Sequence, residues 1–229
     1  MSIISLKNVS KTFKHRKIIE NLSLDIHQGK ITCLLGSSGS GKTTILRLIA
    51  GLEKPTEGEV CIGHRVVSKD GKIITPPAQR AIGFIFQDLA LWSHMTVYEN
   101  IAFGLKVQKS QEIEQKVVEI LEFFGILNYK NSYPNELSGG QQQLVAIARS
   151  LVLKPKIVLM DEPLSNLDID LKEKMRKQIK ELRDVFNVTI IFVTHDHEEA
   201  YALADEVVML ENGKCRKISV KSATISQKE

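Results

Sequence analysis

The chain has 229 residues, 43% of them hydrophobic and 25% charged, with a formal net charge of +4. That composition excludes a disordered or fibrous polypeptide and supplies a sizeable core for one domain or two small ones. The mild positive charge comes without a basic block or an aromatic-interleaved basic stripe, which argues against nucleic acid as a partner, and three scattered cysteines form neither a disulfide framework nor a zinc motif and point to a reducing cytosol.

In chain order, residues 1–30 read as strands. Ile4 and Leu6 alternate with Ser5 and Lys7, and Leu22, Leu24 and Ile26 with Ser23 and Asp25, the period of a half-buried antiparallel sheet. Between them Lys11, Thr12 and Phe13 make a polar stretch with one aromatic, which either packs on the core or offers its ring to a ligand. Residues 30–35 form an apolar run, as in a parallel strand covered on both faces. Gly36, Ser37, Ser38, Gly39, Ser40, Gly41, Lys42, Thr43 and Thr44 then satisfy G-x-x-x-x-G-K-[ST] and open a helix over about 41–52. Glycine lets such a loop curl until several backbone N–H groups aim at one point, and the helix N-terminus adds its own donors and dipole. This construction holds a nucleoside triphosphate, with Lys42 reaching the β/γ-phosphates and the Thr43 hydroxyl binding Mg²⁺.

Strands are expected at 59–62 and 72–74 around an Asp70-Gly71 turn, and a buried strand at 81–87 delivers Gln87 to the ligand edge of a sheet. From 88 to about 133 the pattern turns helical. A capping box of Thr96 and Glu99 opens a helix to about 107, and a second helix covers about 111–124. Its apolar surface suits a subdomain core or a partner equally well. Leu137-Ser138-Gly139-Gly140-Gln141 carries another capping box at the start of a helix to about 153, while its glycines leave N–H groups open to an anion. An apolar strand from 156 ends in Asp161 and Glu162. The first acid is placed to hold Mg²⁺ and the second to position and deprotonate a water. An amphipathic helix over 169–186, a strand over 189–193 leading to Thr194 and His195, and a last clear strand over 206–210 precede a polar, basic tail from 214. The His195-Asp-His197-Glu-Glu stretch lacks a distant ligand at metal-site spacing. No signal peptide or apolar run of about 18 residues is evident, so work at a membrane requires a partner that holds the chain there.

With these motifs in this order, the chain closely resembles the nucleotide-binding subunit of ABC transporters over about residues 2–217. The resemblance implies an α/β fold with a phosphate-loop NTPase core, a mixed but mainly parallel sheet, an N-terminal antiparallel β part and a helical subdomain at about 88–153. All of this forms one domain over 1–217, with 218–229 as a polar tail. It implies ATP and Mg²⁺ as ligands, and two copies paired head-to-tail around two ATP molecules. By the same resemblance, residues 36–44 would bind the phosphates. Thr43, Asp161 and Gln87 would face Mg²⁺, Gln87 would also reach the attacking water, Glu162 looks like the catalytic base and His195 like the switch on the γ-phosphate. Ser138, Gly139, Gly140 and Gln141 would meet the nucleotide held by the second copy. Asp168 looks like the acid of the loop 164–168 that couples the two sites, and Phe13 like the aromatic that stacks on adenine.

Residues 86–105 are similar to the sugar, polyamine, sulfate and ferric-iron importer ATPases, where this stretch receives a helix of the membrane subunit. The implied function is ATP hydrolysis that drives solute import, at the cytoplasmic face of the membrane, with permease subunits and, indirectly, an extracytoplasmic solute-binding protein. An exporter or lipid-extraction ATPase is the alternative. A soluble non-transport ABC protein is a further one, although such proteins usually carry paired cassettes or a long coiled-coil insertion. Leu144, Ser93 and His197 stand where many of these importer ATPases have Arg, Pro and Gln, none at a catalytic position. The regulatory C-terminal β-domain of the sugar-importer type is not expected in a chain of this length.

Overall fold

The computed structural model describes residues 1–165, 167–211 and 214–219. Two sheets organise it. β1 (Ser2–Phe13), β2 (Arg16–His27), β4 (Glu57–Ile62), β5 (Arg65–Lys69) and β6 (Lys72–Ile73) form an antiparallel sheet in the order β2-β1-β4-β5-β6. β3 (Ile31–Leu35), β7 (Ile82–Ile85), β8 (Ile157–Asp161), β9 (Thr189–Thr194), β10 (Glu206–Glu211) and β11 (Lys214–Ser219) form the second, in the order β11-β10-β3-β9-β8-β7. The second sheet is parallel except for β11, which pairs antiparallel with β10.

The central strands β3, β8 and β9 are buried at every residue because both faces are covered. Ile31, Cys33 and Leu35 point into a core shared with the helices α2 (Val97–Val107), α3 (Ile113–Phe123), α4 (Gly139–Leu151), α5 (Ile169–Phe186) and α6 (His197–Leu203). Leu34 points the other way, into a core closed by α1 (Lys42–Ala50) and the antiparallel sheet. In α5, Met175, Ile179 and Leu182 are the buried stripe, while Leu171 and Phe186 at its ends are half-buried.

The structure corrects several expectations. Lys11, Thr12 and Phe13 do not lie between strands; they complete β1, with Phe13 opposite Arg16 across the hairpin. Residues 65–69, expected as a connection, are β5, so Asp70-Gly71 joins β5 to β6. β7 is an edge-side strand with only Gly83 and Ile85 fully buried. Residues 214–219, expected as tail, form β11 along β10 up to Ser219, so the ordered β structure passes 217. The rest of the expected tail, 220–229, lies outside the described residues.

Arg80 explains β5. Its side chain, 5% exposed, donates to the carbonyls of Thr75, Leu48, Ile49 and Val67 and to the Ser68 hydroxyl at 2.7–3.1 Å. Leu48 and Ile49 lie in the last turn of α1, so Arg80 satisfies helix-end carbonyls and ties the phosphate-loop helix to β5. Burial lowers this guanidinium to about 10, which leaves it charged at neutral pH.

Candidate active site

Four loops leave the carboxyl ends of neighbouring parallel strands and meet at one edge of the sheet. The first follows β3. At Gly36 a Cβ would come within 2.4 Å of the Leu210 carbonyl oxygen, so β10 leaves no room for a side chain there. Gly39 and Gly41 take φ of 79° and 102°, which curls the loop before α1. Gly41 caps α1 without a side-chain acceptor, leaving the first N–H groups of the helix facing the loop. The Lys42 ammonium donates to the carbonyls of Gly36 and Ser37, both at 2.8 Å, and bridges the loop from inside. The Ser40 hydroxyl is buried with no hydrogen-bond partner among the described residues.

β8 supplies the two acids. Asp161 is 5% exposed and accepts a hydrogen bond from the Thr43 hydroxyl at 2.9 Å. Together they set hard oxygen donors at the mouth of the loop, the chemistry that suits Mg²⁺. Glu162 follows in the left-handed region at φ 47°, unusual for a residue with a side chain. Its N–H donates to the Val193 carbonyl at 3.1 Å, and its carbonyl accepts from the Ser165 N–H and hydroxyl at 3.3 and 3.1 Å. These bonds hold the strained backbone in place. Around its carboxylate, the Gln87 amide donates at 3.5 Å from the loop after β7, and the His195 imidazole Nδ1 lies at 3.4 Å from the loop after β9.

Burial pushes the Asp161 carboxyl above its ordinary value, and lowers the Lys42 ammonium, so burial disfavours the charged form of both. For Asp161 a raised folded value favours the protonated form. Its contribution to stability is complete below the unfolded carboxylate value and is lost as pH rises through the raised folded value. Ionised Asp161 therefore weakens the fold at neutral pH in the absence of a cation. Asp161→Asn keeps the acceptor for Thr43 and removes the charge. It is expected to raise the Mg²⁺-free thermal midpoint at pH 7 by roughly 2–4 °C, with the gain shrinking as the pH is lowered toward 4, as thermal unfolding at several pH values would show.

The four loops and the β1–β2 hairpin enclose a cleft of about 740 Å³. Ser37, Ser38, Gly39, Gly41, Lys42, Thr43, Thr44, Gln87, Glu162 and His195 line it, as expected, and so does Phe13, 39% exposed with the Lys11 ammonium 4.4 Å from its ring centre. Arg16 and Ile18 also line it and were not singled out from the sequence. Their signal is the hairpin register, which sets Arg16 opposite Phe13.

Other expected residues lie outside this cleft. Ser138 and Gln141 form the capping box of α4, with the Gln141 N–H donating to the Ser138 hydroxyl at 3.3 Å and the Ser138 N–H to the Gln141 side-chain oxygen at 2.8 Å. A Cβ on Gly140 would lie 2.4 Å from a Leu171 methyl, so glycine there lets α4 approach α5. Gly139 lines a separate cavity that shares only Gln87 and Glu162 with the main cleft. Asp168 is exposed and caps α5 by accepting from the Leu171 N–H at 2.8 Å. Asn166, in the loop 164–168, lies outside the described residues. Asp196 caps α6, and buried Glu199 is taken up by the Lys172 ammonium and the Thr194 hydroxyl at 2.7 and 2.8 Å.

Residues 19–165 match the model of the family described as ABC transporter. The chain is 47% identical over 221 residues to a Fe(3+) ions import ATP-binding protein of Photorhabdus laumondii, covering 95% of this chain and 61% of that one. It is 45% identical over 221 residues to a trehalose/maltose import ATP-binding protein of Thermococcus litoralis, covering 95% and 59%. The chain thus spans about three-fifths of the length of these curated relatives. Among solved structures, a dimeric ATP-binding cassette in a post-hydrolysis state bound to ADP and Pi aligns with a TM-score of 0.84 at 35% identity, covering 95% of this chain and 99% of that one. A cbiO1 subunit from Clostridium perfringens, part of an ABC transporter complex, aligns with a TM-score of 0.85 at 29% identity, covering 94% and 87%.

Proposed function

We propose, because the chain belongs to the ABC transporter family, that it is an ATPase subunit whose cycle of ATP binding and hydrolysis drives solute import through a membrane permease. The observation that carries this reading is the Glu162 carboxylate, held between Gln87 and His195 at the mouth of the phosphate-loop cleft. Residues 36–44 take the triphosphate, with Lys42 turning from the loop carbonyls toward the β/γ-phosphates, and Phe13 stacks on the base. Thr43, Asp161 and Gln87 are the residues that would hold Mg²⁺, which neutralises polyphosphate charge when bound. Glu162 takes a proton from the attacking water, Gln87 orients that water, and His195 steadies the γ-phosphate.

The site is unfinished in one copy. Ser138, Gly139, Gly140 and Gln141 are outside the cleft, and we assign them to the nucleotide of a second, head-to-tail copy, with the 164–168 loop and Asp168 linking the two sites.

The surface beside the Gln87 loop supports a permease contact. Trp92 packs 4.6 Å from Phe103, and Phe103 and Val107 are 41% and 68% exposed. Arg149 of α4 lies over the Trp92 ring and donates to the carbonyls of Leu89 and Ala90, two consecutive residues with positive φ. A permease helix pressing on Trp92 therefore bears on the loop that carries Gln87. No described helix is long and apolar enough to cross a membrane; the proposed place at the cytoplasmic face follows from the permease contact. The import names of the relatives favour import over export.

The test is to reconstitute the chain with the permease that co-purifies with it and measure Mg²⁺-dependent ATPase. A rise in turnover on adding the cognate extracytoplasmic solute-binding protein with its solute is expected. Stimulation by a substrate presented from the cytoplasmic leaflet instead would make the chain an exporter or lipid-extraction subunit.

A further inference from the structure

We propose that Glu199 and Lys172 are positioning residues for hydrolysis, a buried pair that ties the turn carrying His195 to α5. The inference rests on the reading of His195 as the group that steadies the γ-phosphate. Only His195 and Asp196 join β9 to α6. The His195 side chain is 61% exposed, and its one polar contact among the described residues is the Glu162 carboxylate at 3.4 Å. An exposed ring with so little holding it takes its direction from the backbone on either side.

Side chains hold that backbone. The Thr194 hydroxyl, buried at the end of β9, donates to Glu199 Oε2 at 2.8 Å and accepts from the Asp196 N–H at 3.1 Å. Asp196 in turn accepts from the N–H groups of Glu198 and Glu199. A hydroxyl that donates to a carboxylate becomes a better acceptor, so the two Thr194 bonds strengthen each other. His195 is thus flanked by two pinned residues, and both sets of bonds end at Glu199. Glu199 is 3% exposed, and its Oε1 accepts from the Lys172 ammonium of α5 at 2.7 Å. Lys172 starts from a firm base. Its N–H donates to the Asp168 carbonyl at 2.8 Å, and the neighbouring Leu171 fills the space beside Gly140 of α4.

Stability alone does not call for an ion pair here. Taking two charges out of water costs about as much as their attraction returns, and apolar residues of similar volume often serve as well. An apolar pair, however, offers no acceptor to the Thr194 hydroxyl. The carboxylate holds Thr194 with one oxygen while α5 holds the other, so neither Glu199 nor the turn can drift. Without that tie the imidazole spreads over orientations of which few meet the γ-phosphate. ATP binding, which rests on residues 36–44, keeps its groups.

The test uses the purified full chain and a double variant, Lys172→Met with Glu199→Gln. It removes both charges together, so no buried charge is left unpaired, and Gln still accepts from Thr194; only the tie to α5 is lost. Its kcat for ATP is expected to fall about tenfold, while KM for ATP stays within about twofold and the thermal midpoint within about 4 °C. Lys172→Arg keeps the cation and is expected to retain at least about half of the turnover. In a His195→Ala background, read with radiolabelled ATP, the double substitution should change the residual turnover by less than about twofold, because its effect passes through the imidazole. A general weakening of the fold would instead multiply the two losses. Wild-type kcat in the double variant, a fall carried by KM, or full multiplication with His195→Ala would overturn the proposal. Wild-type turnover in His195→Ala itself would overturn the reading of His195, so the two failures are distinguishable.

Discussion

Glu162→Gln is expected to lower ATP turnover by at least about 10²-fold, the low end of what a positioned general base supplies, while ATP binding persists. The substitution is nearly isosteric. It leaves the backbone bonds that hold φ at 47° in place, because these come from the Val193 carbonyl and from Ser165 and not from the carboxylate. It also leaves residues 36–44 and the Thr43–Asp161 pair untouched, the groups proposed to hold the nucleotide and its cation. What is lost is proton acceptance at the one carboxylate lying between Gln87 and His195. ATP should then accumulate in closed dimers, read as a doubled mass on size exclusion in the presence of ATP and as intact ATP in the released nucleotide. Turnover like wild type would sink the assignment of the base. Slow turnover without ATP-dependent dimers would keep the base and sink the closed-dimer cycle.

Much of this site was legible in the sequence because phosphate-loop chemistry is local. Consecutive residues build the loop, and an apolar strand ending in two acids announces its own geometry. The helix over 169–186 was readable from the 3–4 spacing of its apolar residues alone; the structure adds what fixes its limits, the Asp168 cap and Asn187 in the left-handed conformation. Features that depend on distant partners were not legible. β5 carries the polar Ser68 at a fully buried position, and only Arg80, twelve residues on, makes that burial tolerable. β11 is masked by its basic residues, and its identity as a strand comes from the register of Cys215 against Leu210. α6 is short, and its start depends on Asp196 accepting from the Glu198 and Glu199 N–H groups. Arg16 and Ile18 reach the cleft through hairpin register, which period-two alternation leaves open.

The segment 138–141 is a different case, because the same residues carry one reading that the structure displays and one that belongs to the proposed dimer. In one chain its visible work is structural: Ser138 and Gln141 cap α4, and Gly140 lets α5 approach. The anion-binding reading needs a second molecule, which leads to the other large effect. Ser138→Asp should preserve the cap, since Asp serves at a helix N-cap as well as Ser, and thermal stability should stay within about 0.5 kcal/mol of wild type. Yet in the proposed head-to-tail pairing it sets a carboxylate against the triphosphate held by the other copy, and like charges placed face to face across an interface cost several kcal/mol, so turnover should drop on the order of 10²-fold. Lys42→Ala should be equally inactive for a separate reason, the loss of the ammonium that bridges the loop and is proposed to meet the phosphates. Mixing the two inactive variants separates the head-to-tail dimer from every single-chain account. In a mixed dimer one site combines both defects, while the other pairs an intact Lys42 with an intact Ser138. A 1:1 mixture in which half the dimers are mixed should therefore recover about a quarter of the wild-type rate from parents that have almost none. A mixture no more active than its parents would mean that Ser138 acts on the nucleotide of its own chain or on none, and the site would then have to close by movement of the helical subdomain alone.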